Sequence, residues 1–159
     1  MPALASLRSI AVLPVLLALI LLTSMFALTS PADAVTRAQR VGNAFDVVRA
    51  QKGDPYRYGA AGPNAFDCSG LTYYSFRRAG LSSIPRTSDA QARHARRISR
   101  SNMRKGDLVF FHNGGNVYHV GVFAGVNNGR RTIIHASRSG TPVKQDPIWT
   151  NSWFAGTLR

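Results

Sequence analysis

The sequence contains a single cysteine, Cys68, and no glutamate among its 159 residues. One cysteine excludes a disulfide within the chain, and paired metal-ligand spacings such as Cys-x-x-Cys or His-Glu-x-x-His are also absent. Acidic residues number 7 against 20 lysines and arginines, so the formal net charge is +13. A chain with so few acidic residues attracts polyanions.

An apolar stretch near the N-terminus, residues 10–22, is typical of the core of a secretory signal peptide. Arg8 precedes it, and Ala32-Asp33-Ala34 follows with the small-x-small pattern that signal peptidase cleaves. We therefore expect residues 1–34 to be a signal peptide and the mature protein to begin at Val35. The alternative is an uncleaved membrane anchor, because weaker apolar character continues beyond this stretch.

The predicted mature chain, residues 35–159, has room for one domain with a hydrophobic core. Removal of the leader takes away one basic and one acidic residue, so the charge stays at +13. An exported protein of a bacterium would first meet phosphate-bearing wall polymers and anionic lipid headgroups as polyanions. Nucleic acid is not expected, since the basic residues are scattered without an aromatic-interleaved binding motif. A basic surface that only keeps the protein soluble is the remaining alternative.

Helical patterns occupy the first half of this domain. Apolar residues recur at helical spacing from Val41 to Lys52, and Gly53-Asp54-Pro55 ends the pattern. A second helix is predicted from about Cys68 to Ala79 with Asp67 as its N-cap, so that Cys68 lies in the first turn. The polar segment from Arg86 to Ile98 is also predicted to be helical.

Strand patterns occupy the second half. Three apolar runs, 108–111, 119–124 and 132–137, are predicted strands, and a further short element is predicted between Trp149 and Leu158. Glycine and asparagine residues in 125–129 indicate a hairpin between the second and third runs. Helices followed by strands indicate an α+β fold with N-terminal helices packed on a C-terminal antiparallel sheet.

The register of this hairpin decides whether two of the four histidines meet. If the loop is centred on Asn127, His119 lies directly opposite His135, and both project from one face while the intervening positions form an apolar face. We then expect the histidine face to meet the cysteine helix. A two-residue Asn127-Asn128 turn would instead pair His119 with Ala136.

The lone cysteine is the candidate nucleophile. In an exported protein such a residue forms an intermolecular disulfide, packs as a small buried residue, or serves as a reactive thiol. Backbone amides at a helix start lower the pKa of a thiol, and a histidine that accepts the proton stabilises the thiolate further. We therefore predict Cys68 as nucleophile, His119 as its base and His135 as the residue that orients His119. A zinc site formed by the same three residues is the alternative.

Tyr56 is a second kind of candidate. It lies in an ordered loop before the cysteine helix and could place its hydroxyl near a developing oxyanion, alongside the backbone N–H of Cys68. Spacing in the sequence does not by itself establish this role.

Several short blocks of the sequence occur in the order found in a known family. They are Pro55-Tyr56-Arg57-Tyr58-Gly59, Gly62-Pro63, Phe66-Asp67-Cys68-Ser69-Gly70-Leu71, Pro85-Arg86-Thr87-Ser88, Gly106-Asp107-Leu108-Val109-Phe110-Phe111, His119-Val120-Gly121-Val122-Phe123 and Ile134-His135-Ala136. Across roughly residues 40–159 the chain thus resembles the NlpC-type cell-wall cysteine peptidases, papain-like bacterial enzymes that cut peptidoglycan stem peptides. The resemblance implies a papain-like fold and the catalytic roles already given to the cysteine, the two histidines and Tyr56.

The resemblance also implies a substrate and its groove. The scissile bond would join D-glutamate, through its γ-carboxyl, to a diamino acid, and Asp67, Ser69 and Arg86 would line the groove. We expect a secreted or wall-associated monomer that needs no metal and no cofactor. A non-catalytic wall-binding protein and an amidase with the same catalytic residues remain as alternatives.

Overall fold

The structure, a computed structural model, describes residues 35–159, and the predicted leader lies outside the described residues. This part of the chain contains three α-helices followed by six strands. The elements are α1 (Arg37–Ala50), α2 (Cys68–Arg78), α3 (Ser88–His94), β1 (Arg96–Ile98), a 3-10 turn (Arg100–Asn102), β2 (Leu108–Asn113), β3 (Asn116–Asn127), β4 (Arg130–His135), β5 (Lys144–Pro147) and β6 (Trp153–Thr157). The strands form one antiparallel sheet in the order β1-β6-β2-β3-β4-β5, which confirms the predicted α+β class.

Helix α1 begins four residues before the predicted apolar pattern. Thr36 and Gln39 form a capping box, in which each side chain accepts a hydrogen bond from the other residue's backbone N–H. The polar first turn is thus stabilised by its cap, and the apolar face from Val41 to Val48 is buried in the core. Within residues 35–159 no helix has the length and apolar character needed to cross a membrane.

The prediction of a helix from Arg86 to Ile98 is wrong at both ends. Only Ser88–His94 is helical, and the chain turns extended at Ala95 to form β1. Strand β1 pairs with β6, so that Ile98 lies beside Ala155. A partner almost sixty residues downstream therefore decides the conformation of this segment, which local periodicity does not reveal.

The sheet carries a separate hydrophobic cluster on each face. Leu71 and Phe76 of α2 belong to the cluster that contains Val120, Val122 and Ile134. The opposite face carries Val109, Phe111, Phe123, Ile133, Trp153 and Ala155, with Ile98, Met103 and Ile148 packed against them. The cysteine helix therefore packs on the apolar face of the hairpin, and the expectation that it meets the histidine face is wrong.

The predicted register of the β3–β4 hairpin is also wrong, although its consequence for the histidines survives. The turn consists of Asn128 and Gly129, both with positive φ, as a type I′ turn requires. A β-bulge then adds one residue to β3 between Phe123 and Gly125, and Phe123 pairs with Ile133. The added residue restores the alternation that a two-residue turn alone would have reversed. His119 and His135 consequently share a face, as diagonal and not as directly opposite neighbours.

Candidate active site

Cys68 is the first residue of α2, where the helix N-terminus meets the loop that precedes it. Its neighbour Asp67 caps the helix, with Oδ1 accepting a hydrogen bond from the N–H of Gly70 (2.6 Å) and Oδ2 accepting one from the N–H of Gly59 (2.9 Å). The cap therefore ties the start of the helix to the loop beside it. The Cys68 side chain is half-buried at this junction.

The prediction that the helix start makes this thiol acidic is wrong. Burial raises the pKa of the Cys68 thiol above its ordinary value, and the negative charge of Asp67 acts in the same direction. The backbone N–H groups of Val120, Ser69 and Cys68 itself lower the pKa, but their effect is smaller than that of burial. The thiol is therefore protonated at neutral pH in the absence of substrate.

Val120 also shows how β3 approaches the sulfur. Its backbone N–H acts on the Cys68 thiol, and its neighbour along the strand is His119. Within residues 35–159 no hydrogen bond joins the Cys68 thiol to the His119 ring. The thiol instead contacts the backbone of Val120, the residue that follows His119. Val120 and His119 project from opposite faces of β3. The strand therefore contacts the helix start through Val120 and carries His119 next to this contact.

The two histidines form a direct pair. Nε2 of His119 lies 2.8 Å from Nδ1 of His135, and both side chains are buried. This contact occupies one ring nitrogen of His119 and leaves its Nδ1 available for another partner. The sequence prediction that His135 orients His119 is consistent with this geometry.

The environment keeps both imidazoles neutral. Burial, together with the adjacent His135 ring, lowers the pKa of His119 to about 3. Burial also lowers the pKa of His135, although a hydrogen bond from His135 to Asp146 and the charge of that carboxylate oppose the shift. His119 is therefore a neutral imidazole above about pH 3 and can accept a proton.

Asp146 and Trp149 are parts of the site that sequence reasoning missed. The carboxylate of Asp146 lies 3.0 Å from Nε2 of His135. Trp149 stacks on Phe111, with ring centroids 4.3 Å apart, and its indole lies against the rings of both His119 and His135. Both residues belong to the β5–β6 region, where the hydrophobic pattern predicts only a short element, and nothing in their sequence context indicates a contact with the histidines.

The predicted groove residues form a network with one another. Arg86 donates to both carboxylate oxygens of Asp67, at 3.0 and 2.6 Å, and to Oγ of Ser69 at 2.9 Å. Although burial alone would raise it, the pKa of Asp67 is lowered by this guanidinium and by backbone N–H groups. Asp67 is therefore ionised and held rigidly beside the cysteine.

A cleft of about 500 Å³ opens over Cys68. Asp67, Ser69, Arg86 and Tyr56 line it, together with Tyr58 and Tyr118. Tyr118 lies at a β-bulge where two residues of β3 oppose His112, and half of its surface is exposed. Neither His119 nor His135 is among the residues that line this cleft.

Tyr56, in the loop before α2, lines the same cleft as Cys68. Burial raises the pKa of its hydroxyl, and the charges of Cys68 and Asp67 raise it further. The phenol is therefore protonated at neutral pH and can donate a hydrogen bond. Its predicted role near an oxyanion stays a prediction.

The zinc alternative lacks a preformed site in the described part of the chain. No group of three or more histidine, cysteine or acidic side chains in residues 35–159 has the spacing to hold a metal ion. The nitrogens that face each other in the His119–His135 pair are engaged in their mutual hydrogen bond. The arrangement is better suited to moving a proton than to ligating a metal.

Comparison with known proteins gives the family. The sequence profile of the NlpC/P60 family matches residues 53–159. A probable endopeptidase of Corynebacterium glutamicum is 42% identical over 120 residues, which make up 75% of this chain and 54% of that protein. The chain thus spans about half the length of this curated relative.

Solved structures show the same fold. The P60 domain of antigen MAP1204 from M. avium subspecies paratuberculosis has a TM-score of 0.65 and 31% identity, and the match covers 77% of this chain and 96% of that domain. The peptidoglycan hydrolase RipB of Mycobacterium tuberculosis has a TM-score of 0.65 and 28% identity, with 81% of this chain and 69% of that chain covered. Since the family profile covers most of the chain, this protein belongs to the NlpC/P60 family.

Proposed function

We propose that this protein is an exported cysteine endopeptidase that hydrolyses peptidoglycan stem peptides at the bond between the γ-carboxyl of D-glutamate and a diamino acid. The observation that carries the proposal is the position of Cys68: it starts a helix, lines a cleft, and lies beside strand β3, which carries His119 of the buried His119–His135 pair. Relatives named as an endopeptidase and as a peptidoglycan hydrolase support the same reaction class.

The mechanism begins from a neutral thiol and a neutral imidazole. Substrate binding would align them, since hydrogen bonds between catalytic groups are often long before the substrate is present. As Sγ of Cys68 attacks the carbonyl carbon, its proton passes to Nδ1 of His119, and His135 stabilises the resulting imidazolium through Nε2 of His119. Transfer of the proton at the moment of attack avoids a buried thiolate in the resting enzyme.

The second half of the reaction returns the proton. The imidazolium protonates the leaving amine of the diamino acid as the C–N bond breaks, which leaves the γ-D-glutamyl group on Cys68 as a thioester. Water, deprotonated by His119, then attacks the thioester, and the thiol is regenerated with release of the carboxylic acid. The backbone N–H of Cys68 and the hydroxyl of Tyr56 would donate hydrogen bonds to the oxyanion in both steps.

The groove would hold a polar peptide. Asp67, Ser69 and Arg86 lie along the cleft, and the guanidinium of Arg86 is one-third exposed even while it is paired with Asp67. An ionised carboxylate and a partly exposed guanidinium at one end of the cleft suit the charged groups of a stem peptide. Because hydrogen bonds to one another hold these three side chains in place, they need no rearrangement when the substrate binds.

Affinity for the cell wall would come from the basic surface. Arg100, Arg130 and Arg131 line one small surface pocket that contains no acidic residue. Phosphate groups of anionic wall polymers match such a cluster of guanidinium groups. The predicted leader supports export, and this basic surface supports attachment to the cell wall.

One observation favours a second candidate, a non-catalytic wall-binding protein. The pKa of the Cys68 thiol is raised and no hydrogen bond links it to His119 within the described residues, so the resting site lacks the preformed ion pair of an activated cysteine. The intact cysteine and histidine pair argue against this candidate, because a protein that only binds peptidoglycan has no need of them.

Incubation of the purified protein with defined muropeptides, followed by mass analysis of the products, separates these candidates. We expect two fragments whose masses place the break after the γ-carboxyl of D-glutamate. Release of an intact stem peptide from the sugar would indicate an amidase. Unchanged muropeptide that nevertheless co-purifies with the protein would contradict the proposal and favour the binding protein.

A further inference from the structure

Asp146 terminates a chain of hydrogen bonds that begins at His119. It lies on β5 opposite Ile133 of β4, so the sheet register directs its side chain to the face that carries the histidines. Its Oδ2 lies 3.0 Å from Nε2 of His135, and Nδ1 of His135 lies 2.8 Å from Nε2 of His119. The three side chains therefore form one continuous hydrogen-bonded chain.

An ionised carboxylate at the end of this line fixes every proton in it. Burial would raise the pKa of Asp146, but hydrogen bonds from His135 and Lys144 outweigh burial and lower it, so the group is a carboxylate that only accepts hydrogen bonds. Nε2 of His135 must then carry a proton, which leaves its Nδ1 as an acceptor. That acceptor in turn requires the proton of His119 on Nε2, and Nδ1 of His119 is left bare.

The opposite arrangement would disable the site. If His135 carried its proton on Nδ1, it would donate to Nε2 of His119, and the His119 proton would reside on Nδ1. Nδ1 of His119, the ring nitrogen not bound to His135, could then not accept a proton from the thiol. The tautomer of His135 thus decides whether His119 can act as the base for Cys68.

We propose that Asp146 is a positioning residue of the active site, which sets the tautomers of His135 and His119 so that Nδ1 of His119 is free to accept the Cys68 proton. This inference rests on the proposed function for its kinetic consequence, but the tautomers themselves can be measured without any activity. The sequence separation explains why Asp146 is not recognisable as a site residue: within the site its hydrogen bond is to His135, which in turn contacts the base.

The charged groups around the pair are few. Asp146 and Lys144, both on β5, act on His135, and His135 alone acts on His119 among the described residues. Lys144 lies 3.0 Å from the same carboxylate oxygen and is itself half-exposed. The carboxylate is therefore the group that favours a positive charge on the histidines when the thiol proton arrives.

The test compares Asp146→Asn and Asp146→Glu with Asp46→Asn, a matched charge change at an exposed residue of α1 that is paired with Arg49. Nitrogen-15 NMR of histidine-labelled protein reports the tautomers directly. In the wild type and in D46N we expect both His119 and His135 to carry the proton on Nε2. In D146N we expect protonation of Nδ1 of His135 and of His119 to appear, because the amide of Asn can donate to Nε2 of His135 and the carboxylate cannot.

Kinetics with a cleaved muropeptide supply the second readout. We expect D146N to lower kcat roughly 10–100-fold, a range typical of groups that orient a functional histidine, with KM unchanged. The acid limb of the pH profile should move to lower pH, because the carboxylate normally raises the pKa of His135. D146E retains the carboxylate and should recover part of the lost kcat, whereas D46N should match the wild type in both measurements.

Each outcome bears on the proposal separately from the proposed function. A wild-type spectrum with His135 protonated on Nδ1, or a D146N spectrum identical to that of the wild type, would overturn it even in an active enzyme. A lower kcat and melting temperature in D146N with an unmoved pH profile and unchanged tautomers would mark Asp146 as structural only. Wild-type protein that shows the expected tautomers but cleaves nothing would leave the positioning inference standing and refute the peptidase.

Discussion

His119 couples the proposed chemistry to the stability of the fold. Its pKa is about 3 in the folded protein, whereas an exposed histidine in the unfolded chain has a pKa of about 6.5. Between these values the unfolded chain binds a proton that the folded protein does not, so acidification favours unfolding. The free energy of unfolding should therefore be fully maintained above about pH 6.5 and fall as the pH drops toward 3.

The size of this effect is measurable by chemical denaturation across pH 4 to 8. A full shift of this magnitude corresponds to up to about 5 kcal/mol, of which the larger part is lost by pH 4. The carboxylates of Asp67 and Asp146 titrate below their ordinary range, so they contribute only at the acidic end of the window. A variant with His119→Asn should lose part of the pH dependence between 4.5 and 6.5, while His135, whose pKa is also lowered by burial, keeps the remainder, and an unchanged slope in that variant would contradict the assignment.

At the residue scale the sequence is informative about chemistry and poor at revealing supporting contacts. Cys68, His119 and His135 stand out in the sequence as candidates because few residue types can act as nucleophile or base, and the chain has only one cysteine and four histidines. Asp146 is not predictable because its role depends on pairing between β4 and β5, which no local pattern encodes. The predicted acidity of the thiol is wrong since burial, a property of the packed structure, outweighs the helix start.

At the scale of elements, the position of α2 depends on a close approach at Gly70. A Cβ at this position would overlap the backbone carbonyl oxygen of Ala60 and come within 2.9 Å of the Asp67 carboxylate. The loop and the helix start therefore touch with no space for a side chain. Gly70→Ala must push them apart, and it should lower the free energy of unfolding by about 1–3 kcal/mol and reduce activity through displacement of Cys68.

Gly42→Ala is the matched control for this substitution. Gly42 lies in α1, and a Cβ added there would meet nothing within 4 Å, so alanine should raise stability by about 1 kcal/mol through helix propensity alone. Thermal melting of the two variants beside muropeptide cleavage checks both expectations. If G70A melted and turned over like the wild type, the close contact between helix and loop would be irrelevant to the site.

The hairpin shows how far an element can be predicted. Asn128-Gly129 is a strong turn signal, and by itself it implies a register in which the two histidines lie on opposite faces. The bulge before Gly125, where φ is +107°, restores them to one face. A glycine within a strand pattern is the sequence signal for such a bulge, but its exact effect on register requires the pairing itself.

At the scale of the whole molecule, charge is the dominant property. Five of the six aspartates in residues 35–159 form ion pairs, so most of the arginines remain without an acidic partner in the described structure. Binding to anionic wall polymers should therefore weaken as salt is raised, because dissolved ions screen the attraction between the basic surface and the polymer phosphates. Sedimentation with purified sacculi at increasing salt measures this dependence.

A triple variant locates the effect. Replacement of Arg100, Arg130 and Arg131 with glutamine should reduce the bound fraction at low salt and flatten the salt dependence, since these three line the unpaired basic pocket. Arg49→Gln, which removes a cation already paired with Asp46, should bind like the wild type. Binding that is insensitive to both salt and the triple substitution would refute an electrostatic attachment to the wall.

The order of helices and strands is predictable because amphipathic spacing and turn residues are local, whereas the path that joins them is not. The strand order brings β6 between β1 and β2, so the C-terminal segment completes the sheet on that side of β2. Contacts of this kind connect residues far apart in sequence, and the short β1 exists only because of them. The family resemblance supplies the roles in the groove that spacing alone does not.

The Cys68→Ala variant tests the proposed nucleophile most directly. Its cleavage of a muropeptide and its melting temperature are measured beside those of the wild type. Because the sulfur forms the bond to the substrate, the variant should retain the fold and show no cleavage above background, while it still binds the muropeptide. Cleavage by a folded C68A variant at a rate comparable to the wild type would contradict the assignment of Cys68, since another nucleophile would then have to attack the substrate.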